Sequence, residues 1–264
     1  MFTLLEFFQP ETLDEAYKKL ISRKNNTILG GCAYLKMGAK RIGSGIDLSK
    51  LNLNYIKETV DYIEIGASTT FRNIETSKLI GAYFNDVLNE SLKDIIGIQF
   101  RNIVTVGASV YSKYGFSDFI TALLALDTEV ELYKSGRFTL EEFLAEPYEK
   151  DILTKIYIKK NERKAVYKSL RNSRSDYPIL NAAVSKLQNN FKIVVGARPA
   201  TAKISLEASK ILSDGVFSEK LLNQALDEIA SELIFGTNMR ASKEYRQAMS
   251  KILVKRAVME VIEC

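Results

Sequence analysis

A chain of 264 residues is long enough to bury a core and to divide into more than one domain. Apolar residues make up 46% and charged residues 26%, as in ordinary globular proteins, and the net charge of +5 is scattered, which describes a solvated surface rather than a nucleic-acid footprint. With no histidine and only two cysteines, Cys32 and Cys264, the chain cannot by itself build a zinc site, a cysteine-ligated iron–sulfur cluster or a Ser–His or Cys–His pair, so any redox chemistry needs an organic cofactor.

No apolar run reaches the roughly 18 residues of a membrane span, and residues 2–8 are too short and too acidic for a secretory signal. No membrane association and a cytoplasmic location are therefore expected, with both thiols free. Thr12-Leu13-Asp14-Glu15 reads as a capping box opening a helix over 12–22, with Leu13, Ala16, Tyr17 and Leu20 on one face. Residues 27–29 form a short apolar strand that runs into Gly30-Gly31. Residues 41–45 read as a basic, glycine-broken loop, and 46–48 as extended, which makes a small β-α-β unit with the glycine turn at its carboxyl edge, where α/β folds hold ligands.

From Tyr55 the pattern alternates: strands are expected at 55–57 and 62–65 around a turn at 59–61. Helices follow over 71–78 and 83–91. The β-branched run 103–106 reads as a strand ending in a second glycine loop, Thr105-Val106-Gly107-Ala108-Ser109. Ser117-Asp118 caps a helix to 126, 129–133 is a strand, Ser135-Gly136 turns it, Thr139-Leu140-Glu141-Glu142 is another capping box, and 152–158 is a strand. Beyond Glu162, three antiparallel strands (165–170, 179–187, 191–195) with an Asn189-Asn190 hairpin turn precede helices over 201–212, 218–233 and 242–262. The fold class is thus α+β, with strands followed by helices in the last domain.

The two glycine loops free backbone N–H groups to form an anion nest. Gly30-Gly31, then Gln99-Phe100-Arg101-Asn102 leading into Thr105-Val106-Gly107, then Ser117-Asp118, Arg174-Ser175-Asp176 and the tail around Glu244-Tyr245-Arg246, come in an order that resembles the FAD-binding medium subunits of molybdenum hydroxylases, the xanthine dehydrogenase and carbon monoxide dehydrogenase type. The resemblance spans essentially the whole chain. It implies a PCMH-type FAD-binding α/β domain over 1–160, in two subdomains of about 1–52 and 53–160, and a C-terminal flavoprotein domain over 161–264.

It also implies the cofactor, FAD, and its contacts. Thr27, Ile28, Leu29, Gly30, Gly31, Cys32, Ala33 and Tyr34 match the first pyrophosphate loop, and Thr105, Gly107, Ala108 and Ser109 the second. Asp118 matches an acidic residue that contacts the cofactor, suited to a ribose hydroxyl pair. Ile95 and Leu153 match apolar contacts, and Lys168 a basic residue on the flavin side, where a cation stabilises reduced flavin. No residue of this chain is expected to be catalytic or to bind a metal. Two departures stand out: Cys32-Ala33 where the family commonly has Thr-Asp, and Ala108-Ser109 where it commonly has Gly-Asn.

The plainer readings are structural. Cys32 is a small packing residue, Tyr34 stacks on flavin or covers the loop, and Arg101-Asn102 packs and caps it. Arg171, Arg174 and Asp176 form a surface ion-pair group, and Lys168 is an exposed strand lysine. The expected function is electron transfer from an iron–sulfur partner through FAD to NAD+ or another acceptor, in a complex whose third subunit carries the molybdenum cofactor. The rivals are a self-contained FAD-dependent reductase and a non-redox nucleotide-binding protein. No nucleic-acid partner is expected.

Overall fold

The computed structural model describes residues 1–147, 150–198 and 200–264. The chain divides into two compact units, each assembled from separate segments. The first holds Met1–Thr76, Gly97–Ser112 and Thr128–Lys160; the second holds Ser77–Ile96, Lys113–Asp127 and Asn161–Cys264. Residue 160 is thus the last crossing of the chain, and two earlier excursions also join the second unit.

The first unit opens with β1 (Thr3–Phe8), α1 (Leu13–Ser22), β2 (Thr27–Leu29) and β3 (Arg41–Asp47). These strands make a three-stranded sheet, β1-β3-β2, parallel throughout. The expected loop over 41–45 is corrected here: it is the central strand, buried from Ile42 to Ile46, and a substituted Gly45 would collide with Leu4 and Leu29. Glycine in this strand marks close packing, not a break. Thr12 caps α1 by accepting from the Glu15 N–H, while Glu15 accepts from the N–H of Glu11, and Ala16 and Leu20 enter a core with Ile46, Leu48, Leu53 and Ile152.

The same unit continues with β4 (Ile56–Glu58), β5 (Tyr62–Gly66) and α2 (Phe71–Glu75). The second unit takes α3 (Lys78–Gly81) and α4 (Val87–Leu92); the first then takes α5 (Ile98–Arg101) and α6 (Val106–Tyr111), and the second α7 (Asp118–Ala125). The single helix expected over 71–78 is two, because Thr76 ends the first and the Ser77 side chain caps the next. The helix expected from 83 starts at Val87, after left-handed Phe84, Asn85 and Asp86. β6 (Thr128–Leu132), β7 (Gly136–Thr139), α8 (Leu140–Ala145) and β8 (Leu153–Lys159) complete the first unit, whose second sheet is antiparallel in the order β4-β5-β8-β6-β7.

The second unit is built on β9 (Lys164–Leu170), β10 (Leu180–Leu187), β11 (Asn190–Gly196) and β12 (Lys203–Ile204), backed by α9 (Leu206–Ser213), α10 (Glu219–Glu232) and α11 (Lys243–Glu263). The sheet has four strands, β12-β11-β10-β9, rather than three, since residues 203–204 pair with Val194 and Val195 before the helix begins. The two-residue hairpin turn is Gln188-Asn189, one residue earlier than expected, with Leu187 opposite Asn190 and Gln188 left-handed. Val166, Leu180, Ala182, Val184, Ile193 and Val195 meet Leu212, Leu226, Ile229, Leu253 and Val258 in one core. Alternation on each strand therefore sends one face to the helices and the other toward α7. No described helix is long and apolar enough to cross a membrane.

Candidate functional site

The first unit brings the two glycine loops together. A side chain on Gly30 would lie 2.5 Å from the Ala108 methyl carbon and 3.0 Å from Thr105 Oγ1, and one on Gly31 would lie 1.7 Å from the carbonyl oxygen of Ile103. Gly31 has φ of 74° and Cys32 of 58°, so the chain turns through two successive left-handed residues. Among the described residues, the N–H groups of Gly31, Cys32 and Ala33 donate to no backbone or side-chain acceptor. N–H groups left open on a left-handed turn, in residues that are themselves half-buried, are the donors an anion cradle needs. The first loop therefore fits a pyrophosphate through its backbone.

The second loop is built differently, and here the sequence reading is corrected. Residues 103–106 are not a strand; Thr105 and Thr70 share only an isolated bridge, and Thr105 is the N-cap of α6, its side chain accepting from the Ala108 N–H. Val106 donates to Thr69, Gly107 to Ala67 and Ser109 to Thr105. Four of its five backbone N–H groups, Ala108 included, are thus spent inside the chain, and the Thr105 N–H and the hydroxyls remain as the donors it can offer among the described residues. Gly107 is buried, and a side chain there would press within 2.8 Å of the Ala67 methyl. The Ala108 methyl, in place of the family's common glycine, packs directly over Gly30.

Around the loops the plain readings account for several residues. Burial pushes the Cys32 thiol up, so it stays protonated in the loop. Tyr34 meets Phe100 edge-on at 6.4 Å. Arg101 is buried and makes a bidentate pair with Glu75, at 3.0 and 2.9 Å. Leu153 is buried on β8 opposite Leu132, beside a bulge. In the same unit Asp151 ties a turn, accepting from the N–H groups of Lys134, Ser135 and Ile152.

Ile95, Asp118 and Lys168 lie in the second unit. Ile95 is half-buried after α4, its N–H bonded to Leu92. Lys168 sits on the same side of β9 as Val166 and Leu170, which face the helices, and pairs with Glu260 of α11 at 2.5 Å. Asp118 is buried and receives the hydroxyl of Tyr167, the Nδ2 of Asn181 at 3.0 Å and the guanidinium of Arg171 at 2.9 Å. Arg171 is therefore not part of a surface group, whereas Arg174, largely exposed beside Asp94, is. Tyr167 and Asn181 were missed by sequence reasoning; the available signal was that polar residues 167, 169 and 171 share one strand face opposite the apolar one.

A family described as FAD binding domain in molybdopterin dehydrogenase matches residues 2–159, and the CO dehydrogenase flavoprotein C-terminal domain matches residues 165–261. The chain is similar to the glyceraldehyde dehydrogenase medium chain of Sulfolobus acidocaldarius, 25% identical with 97% of each chain covered. It is also similar to the nicotine 6-hydroxylase medium subunit of Paenarthrobacter nicotinovorans, 24% identical over 97% of this chain and 96% of that one. Among solved structures it shares the fold of a carbon monoxide dehydrogenase chain from Hydrogenophaga pseudoflava, with a TM-score of 0.88, 22% identity and coverage of 97% and 96%.

Proposed function

From the premise that this chain belongs to the family of FAD-binding domains of molybdopterin dehydrogenases, we propose that it is the flavin-carrying subunit of a molybdenum hydroxylase complex. An iron–sulfur subunit delivers electrons one at a time, a molybdenum-cofactor subunit oxidises the substrate, and NAD+ or another acceptor collects the electrons. The observation that carries the reading is the first glycine loop, with its open N–H groups on Gly31, Cys32 and Ala33 against the second loop. The names of its relatives, a medium chain and a medium subunit of oxidoreductases, support the assignment to a complex.

When bound, FAD supplies the ability to take single electrons and release a pair. This chain's part is holding and orienting it. The backbone of Gly31 to Ala33 would hold the phosphates, with the hydroxyls of Thr105 and Ser109 as further donors. Gly30 and Gly31 permit the two loops to touch, and the neutral Cys32 thiol adds no competing negative charge there. Ile95, Leu153 and Lys168 are proposed as the remaining contacts.

Purification of the intact complex tests the reading. Flavin, iron and molybdenum should accompany the chain, and the chain alone should be yellow or become so with added FAD. Substrate turnover by the isolated chain would instead establish a self-contained reductase, and a chain that stays colourless with excess FAD would refute the flavoprotein assignment.

A further inference from the structure

Within the first unit, a closed ring of contacts runs behind the two glycine loops. Gly30, which follows β2, lies so close to Ala108 and Thr105 of the second loop that a side chain there would press on both. The opposite end of α6 is Tyr111, whose hydroxyl accepts from the N–H of Asp151 at 2.9 Å. One residue earlier, Lys150 reaches the start of β2. Its Nζ donates to the carbonyls of Leu20 at 3.1 Å, Arg23 at 2.6 Å and Asn26 at 3.3 Å. Asn26 immediately precedes β2, which is three residues long, so the ring closes through β2, the loop contact, α6, Tyr111, Asp151 and Lys150.

The members of the ring are themselves anchored. Asp151 is buried, and its carboxylate accepts from the N–H groups of Lys134, Ser135 and Ile152, which makes residues 150 and 151 a fixed point. Asn26 is buried too; its Nδ2 donates to the Lys19 carbonyl at 2.6 Å and its Oδ1 accepts from the Ser44 N–H at 2.8 Å. Gly43 donates to the Asn25 carbonyl, and a side chain on Gly43 would lie 2.7 Å from the side-chain oxygens of Asn25 and Asn26. The connection from α1 to β2 is thus pressed onto β3. Lys150 is half-buried and lays its charge on the carboxyl end of α1, where helix carbonyls favour a cation.

We propose that Lys150 and Tyr111 are positioning residues, which fix the separation of the two glycine loops from behind and so the fit of their donors to a pyrophosphate. Their effect on a cofactor rests on the FAD-binding reading; their effect on the loops does not. β8 begins two residues after Asp151 with Leu153, itself a proposed cofactor contact, so the same segment orients that side chain.

The full chain is compared with Lys150→Arg, Lys150→Met, Tyr111→Phe, the double variant Lys150→Met/Tyr111→Phe and a control. The control is Lys160→Met, which removes a lysine bonded to Glu58 and the Thr59 carbonyl in the same unit. FAD affinity is measured by titration at a temperature where circular dichroism shows each variant folded. Without FAD, labelling of half-buried Cys32 by a thiol reagent is followed by peptide mass spectrometry, with exposed Cys264 as the internal reference.

Lys150→Met and Tyr111→Phe should each weaken FAD binding by at least about threefold, the scale on which residues without ligand contact tune a site. Both should speed Cys32 labelling severalfold relative to Cys264. Lys150→Arg, which keeps the charge and the donors, should restore both measures. A ring opened at one point loses little more at a second, so the double variant should match the weaker single one, whereas independent losses multiply. Losses below about threefold in both single variants, losses that multiply in the double variant, or an equal loss in Lys160→Met each overturn the proposal. Should Lys150→Met not fold, Tyr111→Phe, which removes one hydroxyl, decides on the same measures. Failure of the unaltered chain to bind FAD would remove the flavin reading; Cys32 labelling would still decide the role of the ring, and unchanged labelling in both single variants would overturn it.

Discussion

At the scale of single residues, the first loop depends on two hydrogen atoms where other residues carry side chains. Gly31 combines a left-handed backbone with the Ile103 carbonyl directly behind it. Gly31→Ala should therefore cost about 2–4 kcal/mol, adding overpacking to left-handed strain, and strip FAD from the chain; urea unfolding and flavin content after gel filtration measure both. Gly30 tests a subtler point. Gly30→Ala drives its methyl against that of Ala108, 2.5 Å away. The clash is with a side chain rather than backbone, so Ala108→Gly in the same chain should recover most of the stability and of the FAD retention lost.

At the scale of elements, α6 is six residues long, too short to persist without help. Its start is set by the Thr105 hydroxyl, and Thr105→Val, which keeps the shape and loses the acceptor, should lower stability by about 1 kcal/mol in denaturant titration. A second link joins α2 to α5 through Glu75 and Arg101, neither of them well exposed. Burial raises the Glu75 carboxyl, but the hydrogen bonds and charges of Arg101 and Arg72 outweigh it and hold the group below its ordinary 4.5. A depressed carboxyl contributes stability that is complete above the ordinary value and is lost as pH falls through the folded one. Urea midpoints should therefore decline as pH drops below 4.5, and Glu75→Gln should flatten that part of the curve.

At the scale of the whole molecule, the chain returns to each of its two units more than once, so truncation at residue 160 would leave the first unit carrying the segments 77–96 and 113–127, which belong to the second. Binding linkage gives a test that needs no partner subunit. A ligand present at 100 times its dissociation constant stabilises the folded state by about 2.7 kcal/mol. Added FAD should raise the thermal midpoint of the intact chain accordingly, and should not do so for Gly31→Ala. Differential scanning calorimetry with matched concentrations of protein and ligand reads this directly.

Much of the organisation was legible in residues alone. Capping residues marked α1, α7 and α8, because a side-chain acceptor at a helix start is a local device. Alternation marked β4 and β5, apolar runs around an Asn-Asn turn marked β9, β10 and β11, and the order of glycine loops, acidic and basic residues carried the family. Tertiary structure decided where local signals conflicted or were silent. The β-branched run before Gly107 favoured a strand until Val106 and Gly107 gave their N–H groups to Thr69 and Ala67 and Thr105 capped a helix. Glycines in β3 suggested a loop until Asn25 and Asn26 filled the space beside Gly43, and Leu4 and Leu29 that beside Gly45. The resemblance implies a cofactor contact for Asp118, and only the fold shows that Tyr167, Asn181 and Arg171 surround its carboxylate. Local chemistry is written along the chain; whether a charged group faces a ligand or a buried counter-ion depends on which segments the fold brings beside it.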